Sequence, residues 1–295
     1  MSNLSQQKVA FVGLGVMGFP MAGHLQQKGE QVCVYNRTQH KALDWVAQYG
    51  GRSAATPAEA AAGADLVMLC VGNDDDVRSV VYAEQGVLAA MQPGSVLIDH
   101  STASADLARE LALACKEKGI GFLDAPVSGG QAGAQNGLLT IMLGGEEADF
   151  AKAEATLMKY ARSARLLGAA GSGQLTKMVN QICIAGVVQG LAEAMHFAQQ
   201  AGLDGQAVLD TISKGAAQSW QMENRGSTML QGKYDFGFAV DWMRKDLAIT
   251  LNEARHNGAT LPLTALVDQF YAQVQAMGGG RWDTSSLLTV LQRKG

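Results

Sequence analysis

Short apolar runs alternate with helical patterns through the first half of the chain. The runs are KVAFVG, QVCVYN, DLVMLCV, SVLIDHS, GFLDAPV and LLTIMLGG. Between them, helical spacing of apolar residues covers residues 16–28, 40–49, 74–82, 104–118 and 146–160. Continuous apolar strands separated by helices indicate a mostly parallel sheet that is covered on both faces. We therefore predict a doubly wound α/β sheet with right-handed crossovers.

The pattern changes after about Leu167. No convincing strand follows, and helical periodicity fills residues 175–200, 204–213, 239–256, 262–277 and 284–292. Glycines and prolines separate these segments, as expected at helix ends. We predict that residues 1–168 form the α/β domain and that residues 169–295 form an all-α C-terminal domain.

Composition removes several classes of function. The chain has 295 residues, 47% of them hydrophobic, and a net charge of −4 without a block of Lys or Arg, so nucleic-acid binding gains little support. The N-terminus lacks a signal pattern, and the apolar run after Asn180 is too mixed for a membrane span, so we expect a cytoplasmic protein without a membrane partner.

The four cysteines are scattered and are expected to be reduced core thiols. The histidines are isolated, so we expect no metal site, and Asn73 to Asp76 should open a helix.

A glycine motif lies between the first strand and the first helix. Gly13, Gly15 and Gly18 have the spacing GxGxxG, with Leu14, Val16 and Met17 between them. In this context the first glycine permits a tight turn, the second lets the backbone approach a pyrophosphate, and the third lets the helix pack on the strand. The helix N-terminus then faces the anion. These residues predict a Rossmann-type dinucleotide site.

The end of the second strand bears on the choice of dinucleotide. An acidic residue there would bind the ribose 2′-hydroxyl of NAD. This chain has Asn36, Arg37 and Thr38 instead. Arg37 can pair with a 2′-phosphate, and its neighbours can donate hydrogen bonds. We expect NADP(H) to be favoured and NAD(H) to be possible; the alternative is that Arg37 is a solvated loop residue.

Lys177 lies near the start of a long apolar helix in the segment GSGQLTKMVNQ. A cation is unfavourable at a helix N-terminus, and burial adds to that cost. Asn180 and Gln181 share its helix face. The segment PVSGG offers the Ser128 hydroxyl and backbone N–H groups for a substrate carboxylate. A carbonyl that accepts hydride needs a proton donor at its oxygen, and a buried lysine is suited to that role.

The segments GLGVMGFPMA, DHSTAS, DAPVSGG, GSGQLTKMVNQ and RKDL occur in the order seen in the β-hydroxyacid dehydrogenases, and the whole chain resembles this family. The family includes 3-hydroxyisobutyrate dehydrogenase and tartronate semialdehyde (2-hydroxy-3-oxopropionate) reductase; TKMVNQ and ATLPLTA are closest to the latter. The resemblance implies a fold like that of 6-phosphogluconate dehydrogenase. It also implies hydride transfer between a nicotinamide cofactor and a short 3-hydroxy or 3-oxo acid. A homodimer or homotetramer is expected.

The resemblance implies a role for each matching residue. Lys177 matches the catalytic lysine, and Asn180 matches an asparagine that orients substrate and lysine. The remaining matches are Ser128, Gly129 and Gly130 for substrate, Val71, Gly72, Asn73 and Thr102 for cofactor, and Lys245 for both. Gln181 is also expected to bind substrate, because it shares the helix face of Lys177. His100 and Trp242 depart from the usual pattern and are expected to shape the pocket.

Other interpretations stay open on the sequence alone. The chain could be a non-catalytic dinucleotide-binding assembly module or an enzyme like the imine reductases, although the latter usually lack this lysine. Lys177 could be a salt-bridged lysine, and Ser128 could be a loop turn. Lys245 could be a surface lysine that pairs with an acid such as Asp241.

Overall fold

A computed structural model describes residues 6–292 of the chain. The chain divides into two compact units, Met1–Lys177 and Met178–Gly295. The division falls inside one long helix, Ser172–Gln200. The sequence pattern instead predicts a domain boundary between residues 168 and 169, and that boundary stays a prediction.

The first unit is built on a nine-stranded sheet with the order β3-β2-β1-β4-β5-β6-β8-β7, and β9 pairs with β8. The pairs along β3 to β6 are parallel, as is the pair β8 and β9, and β8 runs antiparallel to β6 and β7. The strands are β1 Lys8–Val12, β2 Gln31–Tyr35, β3 Arg52–Ser53, β4 Leu66–Leu69, β5 Val96–Asp99, β6 Gly121–Asp124, β7 Val127–Ser128, β8 Leu139–Gly145 and β9 Ala161–Leu166.

Helices cover both faces of this sheet. They are α1 Gly18–Gln27, α2 Gln39–Tyr49, α3 Pro57–Ala61, α4 Asp74–Tyr82, α5 Ala105–Glu117, α6 Gly130–Gln135 and α7 Glu147–Leu157. Successive strand residues point to opposite faces, so each central strand supplies two cores. In β5, Ile98 belongs to one buried cluster and Leu97 to the other. The predicted doubly wound α/β sheet is confirmed.

The second unit is helical. Its elements are the later part of α8 Ser172–Gln200, then α9 Gly205–Ile212, α10 Trp220–Leu230, α11 Val240–Asn257, α12 Pro262–Ala276 and α13 Leu288–Leu291. Their apolar faces form a third core around Tyr271, Met195 and Leu247. Between Gly173 and Gln292 the only strand-like pairing that the structure describes is an isolated bridge from Ala239 to Asp283.

Helix α8 contains the apolar run that was expected to be too mixed for a membrane span. Within residues 6–292 it is the one helix whose length and apolar content would suffice to cross a membrane. Core helices share these properties, and 44% of its most apolar window is buried inside the protein. Ala185, Val188 and Met195 of this helix lie in the third core.

Several short elements escaped the sequence pattern. Strand β9 has the sequence ARSARL, of which only Ala161 is fully buried, so no apolar run marks it. Helix α10 contains Gly226 with Ser and Thr beside it, which are weak helix formers. The expectation that all cysteines are core thiols was wrong for Cys183, which is exposed, because it lies on an outer face of α8.

The close packing of α1 on β1 gives a stability prediction. A Cβ at Gly18 would lie 2.0 Å from the Gly13 carbonyl oxygen and 3.0 Å from a ring carbon of Phe11. Gly18→Ala should therefore lower the free energy of unfolding by about 2 kcal/mol or more, the scale of overpacking. Gly15→Ala is the matched control, because a Cβ there meets no heavy atom within 4 Å. Urea unfolding of both variants checks this, and equal stabilities would contradict the packing argument.

Candidate active site

The carboxyl ends of β1, β4, β5 and β6 form one edge of the sheet, because these strands are parallel neighbours. The segments that follow these strands are residues 13–18, 71–73, 100–103 and 125–130, and they carry most of the predicted site residues. Chain order reverses beside β1, with β2 and β3 on one side and β4 on the other. Ligands of doubly wound sheets bind at such a reversal, beyond the carboxyl ends of the strands.

The loop after β1 is tight on one side and open on the other. Gly13 has a φ of +98°, and a Cβ there would lie 2.3 Å from the Cys70 carbonyl oxygen. The close contact of Gly18 with Gly13 also excludes a side chain. Gly15, in contrast, is exposed and faces open space. The loop therefore fits a dinucleotide, because its free backbone is where a pyrophosphate can approach.

Asn36 braces this loop from the end of β2. Its Oδ1 accepts from the Leu14 amide at 2.9 Å, and its Nδ2 donates to the Thr38 carbonyl at 3.0 Å. Both ends of the Asn36 side chain are thus used within the protein, and its contact with a cofactor stays a prediction. Of the other loop residues, Val16 is exposed and Met17 is half-buried at the start of α1.

Arg37 lies beside a carboxylate that the sequence analysis did not connect with it. Its Nη1 is 3.3 Å from Oδ1 of Asp76, in the first turn of α4, and 85% of its side chain is exposed. The prediction that Asn73 to Asp76 open a helix is confirmed, and Asn73 caps it, because its Oδ1 accepts from the Asp76 amide at 2.8 Å. A cation next to an open loop can pair with a phosphate, and Asp76 partly offsets its charge.

Buried groups tie the loop after β4 to the loop after β5. The Val71 amide donates to Ser101 Oγ at 2.9 Å, and the Ser101 amide donates to Asp99 Oδ1 at 2.9 Å. Burial raises the pKa of Asp99 to about 7, against the lowering effect of its hydrogen bonds from Ser101. Gly72 and Thr102 flank these contacts and are half-buried.

The start of α8 is fastened to the same edge. Asp124, at the end of β6, accepts from the amides of Gly171 and Gln174, both at 2.8 Å. Gln174 Nε2 donates to the Ser101 carbonyl at 2.7 Å, and its Oε1 accepts from the Ala103 amide at 3.1 Å. Asp124 and Gln174 lie in the segments DAPVSGG and GSGQLTKMVNQ, but no local pattern predicts these roles, because the partners of both residues are far away in the chain.

Lys177 lies three residues, about one helical turn, after Gln174 and is 8% exposed. Its Nζ donates to the Val127 carbonyl at 3.0 Å. Ser128 follows in β7 and is half-buried, and the exposed Gly129 and Gly130 have φ values of +129° and +60°. Thus the first unit brings Lys177 to the loop that was predicted to bind the substrate carboxylate.

The predicted residues of the second unit meet at a buried carboxylate. Asp246 Oδ2 accepts from Gln181 Nε2 at 2.7 Å, and its Oδ1 lies 3.1 Å from Lys245 Nζ. Gln181 Oε1 in turn accepts from Asn180 Nδ2 at 2.8 Å. Lys245 therefore pairs with Asp246, and its Nζ lies 5.9 Å from the ring centre of Trp242. The motif RKDL contained Asp246, but only the structure joins it to α8.

Comparison with known families follows the same division of the chain. Residues 8–179 match a sequence profile described as the NAD binding domain of 6-phosphogluconate dehydrogenase. Residues 171–291 match one described as NAD-binding of NADP-dependent 3-hydroxyisobutyrate dehydrogenase. The chain belongs to the β-hydroxyacid dehydrogenase family.

Full-length relatives agree with this assignment. An "Uncharacterized oxidoreductase" of Shewanella frigidimarina is 65% identical, with 97% of this chain and 98% of that protein covered. 2-(Hydroxymethyl)glutarate dehydrogenase of Eubacterium barkeri is 33% identical, with 97% and 95% covered. The structure of Mycobacterium tuberculosis 3-hydroxyisobutyrate dehydrogenase with L-serine is 31% identical, with 98% of this chain and 100% of that chain covered and a TM-score of 0.87. The chain is therefore an NAD(P)-dependent dehydrogenase that acts on CH–OH groups.

In this β-hydroxyacid dehydrogenase, His100 was expected to shape the pocket. The structure buries it to 2% exposure, at the first position after β5. Its Nδ1 is 2.7 Å from the Ala125 carbonyl oxygen, and its Nε2 is 2.8 Å from the Tyr160 hydroxyl. Burial lowers the pKa of His100 to about 4, although the Ala125 carbonyl favours its protonated form.

We find no candidate metal site in the part of the chain that the structure describes. Residues 6–292 contain no group of three or more His, Cys, Asp or Glu side chains placed to hold a metal ion. The groups that the structure does place at this edge are a buried amine, a hydroxyl, and backbone groups beside the glycine loop.

The pKa of His100 leads to a pH prediction. Its folded value of about 4 is below its usual 6.5, so its neutral form stabilises the fold above pH 6.5 and this stability is lost as the pH falls towards 4. From pH 7 to pH 4 the wild type should lose about 3 kcal/mol relative to His100→Gln, at 1.36 kcal/mol for each pKa unit. Asp99, whose pKa is raised by burial, contributes a pH dependence of stability with the opposite sign, but both proteins contain Asp99. Urea unfolding across this range checks the difference, and a constant gap between the two proteins would contradict it.

Proposed function

We propose that this dehydrogenase transfers hydride between NADP(H) and a short 3-hydroxy or 3-oxo acid, with Lys177 as the acid–base residue. The observation that carries the proposal is the position of Lys177. Its Nζ is held 3.0 Å from the Val127 carbonyl, next to Ser128 and at the sheet edge that also bears the glycine loop. Burying an amine lowers the stability of the fold, and a role in catalysis accounts for its presence at this place.

Lys177 moves the proton of the reaction. When bound, the nicotinamide supplies or accepts hydride at the carbon that carries the oxygen. In reduction, the Lys177 ammonium donates a proton to the carbonyl oxygen as negative charge develops there. In oxidation, the neutral amine takes the hydroxyl proton back. Asn180 lies one turn further along α8, and we propose that its amide helps to orient the reacting oxygen.

The loop from Ser128 to Gly130 is the proposed carboxylate site. Ser128 brings a hydroxyl, and the positive φ values of Gly129 and Gly130 turn the chain without side chains in the way. 3-Hydroxyisobutyrate and 2-(hydroxymethyl)glutarate, which name two of the relatives, both place a hydroxyl on the carbon β to a carboxylate. We propose a substrate of this class, with 3-hydroxyisobutyrate and tartronate semialdehyde as the first compounds to try.

Three further proposals concern Lys245, the oligomeric state and the location of the protein. Lys245, braced by Asp246, is proposed to contact cofactor and substrate. A homo-oligomer, dimer or tetramer, is supported by apolar side chains of α8 such as Phe197, which is 72% exposed. A cytoplasmic location stays a prediction. A silent dinucleotide-binding module would have no need for Lys177 beside Ser128, and an imine reductase usually lacks the lysine.

Replacement of Lys177 tests its role. Lys177→Ala should lower kcat by roughly 10²–10⁴-fold, the usual contribution of a positioned acid–base group. Lys177→Arg should recover little, because a guanidinium does not release its proton near neutral pH. Ser128→Ala is the companion variant and should act mainly by raising KM. The measurement is steady-state NADPH oxidation with a panel of short oxo acids.

NADPH affinity is the control for Lys177→Ala, and it should change little because the phosphates are assigned to the glycine loop. Near-native kcat in Lys177→Ala would show that the lysine only binds substrate. Wild-type protein that binds NADPH but turns over no acid in the panel would favour the silent module.

Cofactor choice depends on Arg37 and Asp76. Arg37→Ala should weaken NADPH binding by about 1.5–3 kcal/mol, the scale of a charge-assisted contact, and leave NADH binding nearly unchanged. Asp76→Asn should act in the opposite direction and tighten NADPH binding, because it removes the charge that offsets Arg37. Fluorescence titration with both cofactors measures these changes.

Arg78→Ala is the matched control for Arg37→Ala, since Arg78 is a surface arginine that pairs with Glu110. It should alter neither affinity. Equal losses of NADH and NADPH affinity in Arg37→Ala would mean that Arg37 does not contact the 2′-phosphate.

A further inference from the structure

His100 and Tyr160 form a buried polar pair that the proposed chemistry does not use. Tyr160 immediately precedes β9 and is 0% exposed. Its ring packs edge-on against the His100 ring, with the two centroids 5.7 Å apart. Phe11 also stacks with the imidazole, and the centroids of these two rings are 6.5 Å apart. Two polar rings are thus enclosed in the buried interior of the first unit, beside the apolar cluster that contains Phe11.

The partners of His100 fix its tautomer. A carbonyl oxygen can only accept, so Nδ1 carries the proton that is donated to Ala125. Nε2 is then the acceptor, and the Tyr160 hydroxyl must be its donor. Because both ring nitrogens are engaged, His100 is not placed to exchange a proton with a substrate. Its contacts lead to the backbone of the segment from Ala125 to Val127.

Three successive carbonyls of that segment each accept a hydrogen bond. The Ala125 carbonyl accepts from His100, and the Pro126 carbonyl accepts from the Met142 amide at 3.0 Å. The Val127 carbonyl accepts from Lys177 at 3.0 Å. The Ala125 amide also donates to the Asp99 carbonyl at 2.7 Å. The peptide planes between Ala125 and Val127 are therefore coupled, and a rotation at the first carbonyl displaces the last.

We propose that His100, oriented by Tyr160, is a positioning residue that fixes the Ala125–Val127 segment and thereby the carbonyl that holds the Lys177 amine. The proposal rests on the proposed function of Lys177. It assigns His100 a role in placing the acid–base group without contact with substrate or cofactor.

Two amide substitutions separate the two ends of the imidazole. In His100→Asn the Nδ2 group can replace Nδ1 and keep the donor to Ala125. In His100→Gln the longer amide reaches towards Tyr160 instead and leaves the Ala125 carbonyl without that donor. We expect kcat to fall by roughly 10- to 100-fold in His100→Gln and His100→Phe, the cost of a misplaced catalytic group. His100→Asn should lose least, Tyr160→Phe should be intermediate, and NADPH affinity should be unchanged in all four.

A second readout does not depend on turnover. The rate of Lys177 acylation by acetic anhydride, measured by mass spectrometry and normalised to the exposed Lys118, reports how firmly the amine is held. It should rise in His100→Gln and His100→Phe but not in His100→Asn. Val96→Ala is the control for general destabilisation, because Val96 is fully buried at the opposite end of β5. It should lower stability without changing the Lys177 rate.

The outcomes separate this proposal from the proposed function. Acylation and kcat that are equal in all folded His100 variants would overturn the positioning role even if Lys177 is the acid–base residue. If no oxo acid is reduced by the wild type, the proposed function fails, and the acylation pattern still decides whether His100 positions Lys177.

Discussion

The carboxylate of Asp124 holds the first turn of α8, and the candidate site of the first unit depends on this contact. It accepts from the Gly171 and Gln174 amides at the point where the chain leaves the sheet. Helix N-termini present unpaired N–H groups with partial positive charge, so a buried carboxylate is a strong cap. The next turn of the same helix carries Lys177, and its position therefore follows from that of the cap.

The cost of burying charge explains why so many contacts surround this point. Burial raises the pKa of Asp124 against the lowering effect of the amides that it accepts from. Burial likewise raises the pKa of Asp99, to about 7. A buried ammonium likewise needs partners, and Lys177 donates to the Val127 carbonyl. Gln174, which hydrogen-bonds on both sides of its amide, ties these groups to the loop after β5. These groups are thus held in place by contacts within the protein itself, and preorganised groups lower a reaction barrier most.

Sequence pattern predicted the architecture because local signals were strong. Apolar runs marked the central strands, and the glycine motif placed the dinucleotide loop. It failed at β9, whose six residues are mostly polar, and at α10, which contains Gly226.

The site was predictable in part for a similar reason. Lys177 and Ser128 lie in recognisable segments, whereas Asp76 and Tyr160 act through contacts with residues 39 and 60 positions away. Such pairings have no local signature, and only the folded chain reveals them. His100 could be noticed as a departure from the family pattern, but its burial reversed the interpretation of its role.

Replacement of the cap tests the account most directly. Asp124→Asn keeps the shape of the side chain but replaces one acceptor with a donor, so the Gly171 and Gln174 amides cannot both be satisfied. Hydrogen–deuterium exchange of residues 171–177 should become faster, and kcat should fall by about 10-fold or more through misplacement of Lys177, while NADPH affinity is kept. Faster exchange of this segment with wild-type kcat and KM would contradict the claim that the cap positions the catalytic lysine.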